Sequence, residues 1–106
     1  NWHDSCINIH NLIRGLSAWP YKNMNSWPTA YTNYKDSQIK IYKSKALTIK
    51  TIEPPGYIID ANNDGIAVAT KEGVLVIEVL QFPGGKPLLV KEFLKGNKIE
   101  KDSILS

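Results

Sequence analysis

The chain has 106 residues, 42% of them hydrophobic and 22% charged, with 13 Lys+Arg against 10 Asp+Glu and a formal charge of +3. Those proportions exclude collagen-like, low-complexity and disordered classes, and the length suits one domain with one core rather than a large enclosed catalytic cleft. No apolar run approaches the ~20 residues of a membrane helix, and Cys6, the single cysteine, excludes an internal disulfide framework and fits a reduced, intracellular setting.

Residues 1–5 (Asn-Trp-His-Asp-Ser) lack the charged and apolar regions of a signal peptide, and with Asn1 in first place they predict an excised or proteolysed domain, or a processed product, with the first preferred. Asp4 or Ser5 then caps a helix with the apolar stripe Ile9, Leu12, Ile13 and Leu16, leaving His10, Asn11 and Arg14 outside. Gly15 weakens its end. Two Trp-Pro steps, Trp19-Pro20 and Trp27-Pro28, mark residues 17–32 as a loop whose rings pack over the end of a barrel.

After the loop the period becomes two. Ile39 and Ile41 alternate with Lys40 and Tyr42, and Leu47 and Ile49 with Thr48 and Lys50, the pattern of strands with one wet face. Pro54-Pro55-Gly56 breaks the chain; Tyr57–Asp60 and Ile66–Thr70 then flank an Asn62-Asn63-Asp64-Gly65 hairpin turn. Val74–Leu80 is almost continuously apolar, which predicts the most buried strand. Beyond the Pro83–Pro87 loop, Val90–Leu94 makes one or two helical turns ended by Gly96. The tail folds back on Ile104 and Leu105. The sum is a mainly β fold: a small OB-like barrel of about five or six strands, an N-terminal helix and a short late helix.

Catalytic chemistry is thin. His3, Cys6 and His10 share helix spacings of three and four, but structural zinc sites show tighter paired signatures, and a Cys6 nucleophile with His10 as base has no orienting third group. The Asp60–Gly65 acids lack the distal glutamate of a calcium loop, since Lys71 stands there, and a hairpin turn explains them more simply. Gly84-Gly85-Lys86 is not a phosphate loop, because no GxxxxGK[ST] is present and Pro87 follows. The positive signal is lysine. All but one of the cations are Lys, the exception being Arg14, and Lys35, Lys40, Lys43, Lys45 and Lys50 face only Asp36 within their stretch. Such a segment, with aromatics interleaved, attracts polyanions. Lysine grips phosphate as a point charge and reads little sequence. A plain solvated face explains the same periodicity.

In order along the chain, Ile9-His-Asn11-Leu-Ile13-Arg14-Gly15-Leu16, Trp27-Pro28-Thr29-Ala30-Tyr31-Thr32, Ile39-Lys40-Ile41-Tyr42, Pro55-Gly56-Tyr57-Ile58-Ile59, Asp64-Gly65 with Val68-Ala69-Thr70, Leu80-Gln81, Gly85-Lys86-Pro87 and Glu92-Phe93-Leu94-Lys95-Gly96 resemble the formyltransferase C-terminal domain family, as found in methionyl-tRNA formyltransferases. The likeness covers Trp2 to Leu105. Three departures stand out: a longer Trp-Pro loop, Thr29 where glycine is usual, and Pro87-Leu88-Leu89 in place of a basic run.

The resemblance implies that residues 1–106 form one tRNA-docking domain of a cytoplasmic, two-domain enzyme. An absent N-terminal Rossmann-like domain would transfer a formyl group from 10-formyltetrahydrofolate to the amino group of initiator Met-tRNA. No catalytic residue, metal or cofactor is then expected in this segment. Its partners would be the tRNA and the catalytic domain. Arg14, Lys40, Lys43, Lys45, Lys86 and Lys91 are the expected phosphate contacts; of these Arg14, Lys40 and Lys86 sit on family motif positions. Similar barrels follow the catalytic domain in sugar N-formyltransferases and in the hydrolase part of formyltetrahydrofolate dehydrogenase. There the barrel would be structural. A free-standing RNA- or protein-binding barrel is the third reading.

Overall fold

The computed structural model describes residues 2–16 and 30–106. The expected packing of the Trp-Pro loop falls largely on residues 17–29, outside the described residues. Helix α1 (Cys6–Leu16) starts where sequence places it. Ser5 Oγ accepts the Asn8 backbone N–H at 3.2 Å, satisfying one otherwise orphaned donor of the first turn. Asp4 Oδ1 accepts from the Asn8 side-chain amide and the Ser5 N–H, and these two bonds, the Asn8 one foremost, hold its carboxyl below the usual value.

Cys6, Ile9 and Ile13 are buried, whereas Leu12 is 54% exposed, against expectation. Neighbouring helical residues are turned by about 100°. Once the 6–9–13 line lies on the sheet, Leu12 is rotated onto the flank.

Among the described residues six strands follow: β1 (Ala30–Tyr34), β2 (Ser37–Leu47), β3 (Ile58–Asn62), β4 (Gly65–Ala69), β5 (Val74–Gln81) and β6 (Leu88–Leu89), before helix α2 (Val90–Phe93). They pair antiparallel along the path β1-β2-β5-β4-β3, with β6 on β5. The mainly β architecture with one early and one late helix is thus as expected. Two strands were not: β1 occupies the end of the expected loop, and β6 follows Pro87 directly. Conversely, the expected strand at residues 47–50 ends at Leu47, because its partner β5 begins at Val74, opposite that residue. Thr48–Lys50 are exposed.

β5 is the hub, facing β2 along its length, β4 at Val74–Ile77 and β6 at Val79–Leu80. It is not buried over the largest share of its length; the shorter β4, with four of five residues buried, is. The core gathers Ile39 and Ile41, Ile58, Ile66 and Val68, and Leu75, Ile77 and Leu80, with Ile9 and Ile13 from α1 and Val90 and Phe93 from α2. At the hairpin Asn62 pairs with Gly65, Asn62 Oδ1 accepts the Asp64 N–H at 2.8 Å, and Asp60 accepts from the Asn62 amide at 2.9 Å. Gly65, at φ +140°, has no room for a Cβ, which would fall 2.6 Å from the Ile77 carbonyl oxygen.

Strand pairing does not close the sheet. The two ends of the path, β1 and β3, are joined instead by the tail. Asp102 N–H donates to Ile58 O at 2.9 Å, Ile58 N–H to Ser103 O at 2.8 Å, Leu105 N–H to Gly56 O at 2.7 Å, and Ser106 N–H to Asn33 O at 3.0 Å. Trp2 Nε1 donates to Thr32 Oγ1 at 2.9 Å, and that hydroxyl donates on to Ser106 O at 3.3 Å. The fold is barrel-like, with a strap across its seam. Ile99 and Leu105 anchor the strap; Ile104, expected as an anchor, is 56% exposed, because Tyr57 and Ile104 pair as antiparallel strands do and adjacent extended residues face opposite ways.

Candidate nucleic-acid interface

Lys40, Lys43 and Lys45 cannot all share one face of a regular strand, since alternate residues point to opposite sides. The structure resolves this with a bulge. Ile41 stands opposite Leu80, Lys43 opposite Val79 and Ser44 opposite Ile77, so Tyr42 on β2 and Glu78 on β5 are skipped. The phase of β2 resets. Ile39, Ile41 and Ser44 are buried, Lys43 and Lys45 are exposed, and Lys40 is half-exposed.

Tyr42, expected on the solvated face, is the bulged residue and is buried at 2% exposure. Its hydroxyl donates to Gln81 Oε1 at 2.6 Å, and Gln81 Nε2 donates to the Gly85 carbonyl at 2.8 Å. That chain fixes the turn before Lys86, which Gly85 N–H closes on Phe82 O at 3.0 Å. Phe82 stacks on Phe93 with centroids 4.7 Å apart and meets Tyr34 edge-on at 6.4 Å. The loop carrying Lys86 and the helix carrying Lys91 are therefore tied to β5 rather than left to wander.

Two rows cross the sheet. Tyr31 of β1, Lys40 of β2 and Gln81 of β5 are successive cross-strand partners; so are Lys43, Val79 and Leu89. At about 4.8 Å per strand, Lys43 and Leu89 lie about 10 Å apart. Lys86 and Lys91 stand two residues either side of the Leu88–Leu89 pair. The fold thus groups Lys40, Lys43, Lys86 and Lys91 around β5.

Lys45 is an outlier, opposite Val76 near the far end of β2. Arg14 is exposed on α1. That helix runs against β2, since Cys6 Sγ approaches Leu47 O at 3.6 Å and His10 Nδ1 lies 2.8 Å from Ser44 Oγ. His10 is accordingly half-buried, not on the outer face. Cys6 and His10 serve different partners on β2, and among the described residues no three His, Cys, Asp or Glu groups are placed to hold a metal ion.

The ion pairs among the described residues are Lys35–Glu100 at 3.2 Å and Lys95–Glu92 at 3.0 Å, and neither uses any of the six expected cations. Two further residues of this face are absent from the six expected contacts: Gln81, whose place depends on the bulge, and Tyr31, expected among the loop aromatics but 60% exposed on β1. The only signal for Gln81 was its place in the Leu80-Gln81 motif.

The family model described as "Formyl transferase, C-terminal domain" matches residues 1–98. Similar curated proteins include methionyl-tRNA formyltransferases from Clostridium novyi (strain NT), 49% identical over 99% of this chain and 31% of the relative; from Clostridium botulinum (strain Alaska E43 / Type E3), 46% identical over the same shares; and from Clostridioides difficile (strain 630), 45% identical over 95% of this chain and 30% of the relative. This chain spans about a third of the length of these relatives. A model matched over nearly the whole chain, on a sheet that positions the motif residues Lys40, Gln81 and Lys86 together, places it: the chain belongs to the formyl transferase C-terminal domain family.

Proposed function

We propose that this chain is the tRNA-docking domain of a methionyl-tRNA formyltransferase. Residues 1–106 act as one recognition domain, and an N-terminal catalytic domain of the same protein moves the formyl group from 10-formyltetrahydrofolate to the amino group of initiator Met-tRNA. In that role the protein works in the cytoplasm, where aminoacylated tRNA is made. The observation that carries the reading is the grouping around β5 of Lys40, Lys43, Lys86 and Lys91, which have no acid partner among the described residues, on a chain whose named relatives act on methionyl-tRNA. Those names favour tRNA over a sugar nucleotide.

Lysine ammonium groups would grip backbone phosphates, release counterions and orient the RNA without reading its sequence. Lys40 and Lys43 act from the sheet, Lys86 and Lys91 from the pinned loop and helix; Lys45 and Arg14 extend the field at its margins. A place for the catalytic domain is also supported. Ile52, 98% exposed, and Ile49, 56% exposed, border the Lys71–Gly73 strip. That same strip binds the start of the chain through Lys71 N–H to Trp2 O and Cys6 N–H to Glu72 O. Apolar surface bared at the point where an N-terminal domain would arrive suits a domain contact.

The test is tRNA binding across ionic strength. With five or six phosphate contacts, affinity falls by about 10²–10³ between 50 and 200 mM salt. Lys40→Gln with Lys43→Gln weakens different tRNAs about equally. A salt-independent curve, or binding undiminished by the double substitution, would refute the docking role.

A further inference from the structure

We infer that Tyr31 is a stacking platform for one unpaired nucleotide, set beside the phosphate-gripping lysines. This rests on the docking role above and sharpens it. Tyr31 is 60% exposed on β1, and its direct cross-strand partner is Lys40. Directly opposite residues of an antiparallel pair project to the same side, so ring and ammonium share the outer face, about 5 Å apart at the backbone. Lys40 in turn faces Gln81. Both polar ends of the Gln81 amide are already engaged, its Oε1 by Tyr42 and its Nε2 by Gly85.

The row therefore presents one π-face and one cation, with a neighbour whose amide is anchored at both ends. That is the chemistry of sequence-tolerant stacking: the ring takes the base face, the ammonium takes the adjoining phosphate, and the Gln81 amide is held in place by Tyr42 and Gly85 rather than free to turn toward a base edge. Tyr34, the other tyrosine of the strand, points inward at 7% exposure and accepts the Glu100 N–H with its hydroxyl at 3.1 Å. It is committed to the fold. Tyr31, three residues earlier, is bound by no comparable anchor among the described hydrogen bonds and stands over the sheet where the cations gather. A base paired within a duplex offers its faces to its stacked neighbours, so the platform selects a nucleotide outside a helix, such as a single-stranded end.

The experiment compares two RNAs of equal phosphate number, a single-stranded oligo(A) without base pairs and a blunt duplex, by fluorescence anisotropy on the intact protein. Tyr31→Ala weakens oligo(A) binding about tenfold and leaves duplex binding within twofold, Tyr31→Phe restores the oligo(A) affinity, and Lys40→Gln weakens both RNAs alike. Thermal melts of both Tyr31 variants within a degree or two of the parent exclude a folding effect. Equal loss on both RNAs with Tyr31→Ala, or no loss on oligo(A), overturns the platform while the docking role stands. Absence of salt-dependent binding to either RNA overturns both.

Discussion

Lysine serves two ends of this molecule in opposite ways. At the seam, Lys35 is spent on the fold: its ammonium pairs with Glu100 and lies 5.5 Å from the centre of the Tyr34 ring, and Glu100, its first cause, holds its pKa above the usual lysine value. Around β5, Lys40, Lys43, Lys86 and Lys91 have no acid partner among the described residues. One region uses charge with hydrogen bonds to join β1 and β3; the other keeps its charge outward on a scaffold made rigid by uncharged groups. The contrast teaches that a field for a polyanion is built by packing and amide chemistry, so that no cation is consumed in holding its own loop.

The largest effect should come from breaking the seam. Leu105→Ala removes a buried anchor and is expected to cost about 2–5 kcal/mol, read as a lower midpoint in urea. Lys-dependent RNA binding of the folded fraction should survive it; a stability loss under 0.5 kcal/mol would show that the strap closes nothing. Next, converting Lys40, Lys43 and Lys86 together to glutamine should lower the logarithmic salt slope by about 2–3 while leaving stability within about 0.5 kcal/mol. An unchanged slope would move the interface elsewhere.

Tyr42→Phe is a subtler probe, since it deletes the hydroxyl that holds Gln81 and changes no charge. About 1 kcal/mol of stability should be lost, with a several-fold fall in RNA affinity from a loosened Lys86 loop. Equal RNA affinity in parent and variant would mean that loop order does not matter. The smallest effect returns to the seam. Tyr57 donates to Asp102 Oδ1, and this bond, followed by burial and the Asp102 charge, pushes its pKa up to about 12. The folded state keeps the proton more tightly than the unfolded chain, whose tyrosine titrates near 10. The stabilisation is therefore complete below pH 10 and disappears as pH rises toward 12. Tyr57→Phe should flatten that part of the stability curve, and a curve identical to the parent's would remove the bond from the account.

Much of the fold was legible locally. A cap at Asp4 or Ser5, Asn62–Gly65 as a turn and Val74–Leu80 as a strand rest on propensity and period, which neighbours in sequence decide. Errors arose where a distant partner set the outcome. Leu12 resembles Ile13 in sequence and differs only in which side meets the sheet. Tyr42 reads as an outward residue until Val79 is seen opposite Lys43. Ala30–Tyr34 reads as loop in isolation, because its strand identity comes from pairing with β2.

The candidate site divides the same way. Residue type and sequence order sufficed for the mainly β class and the family, because those are properties that short stretches of the chain carry by themselves. Only the tertiary structure decided that Lys40 and Lys43 emerge on one side, that Lys86 and Lys91 join them across β5, and that Tyr31 stands exposed while Tyr34 is buried. The physical reason is that a bulge, a sheet register and a seam are set by hydrogen bonds between residues far apart in the chain, and a one-residue slip in any of them sends a side chain to the other face.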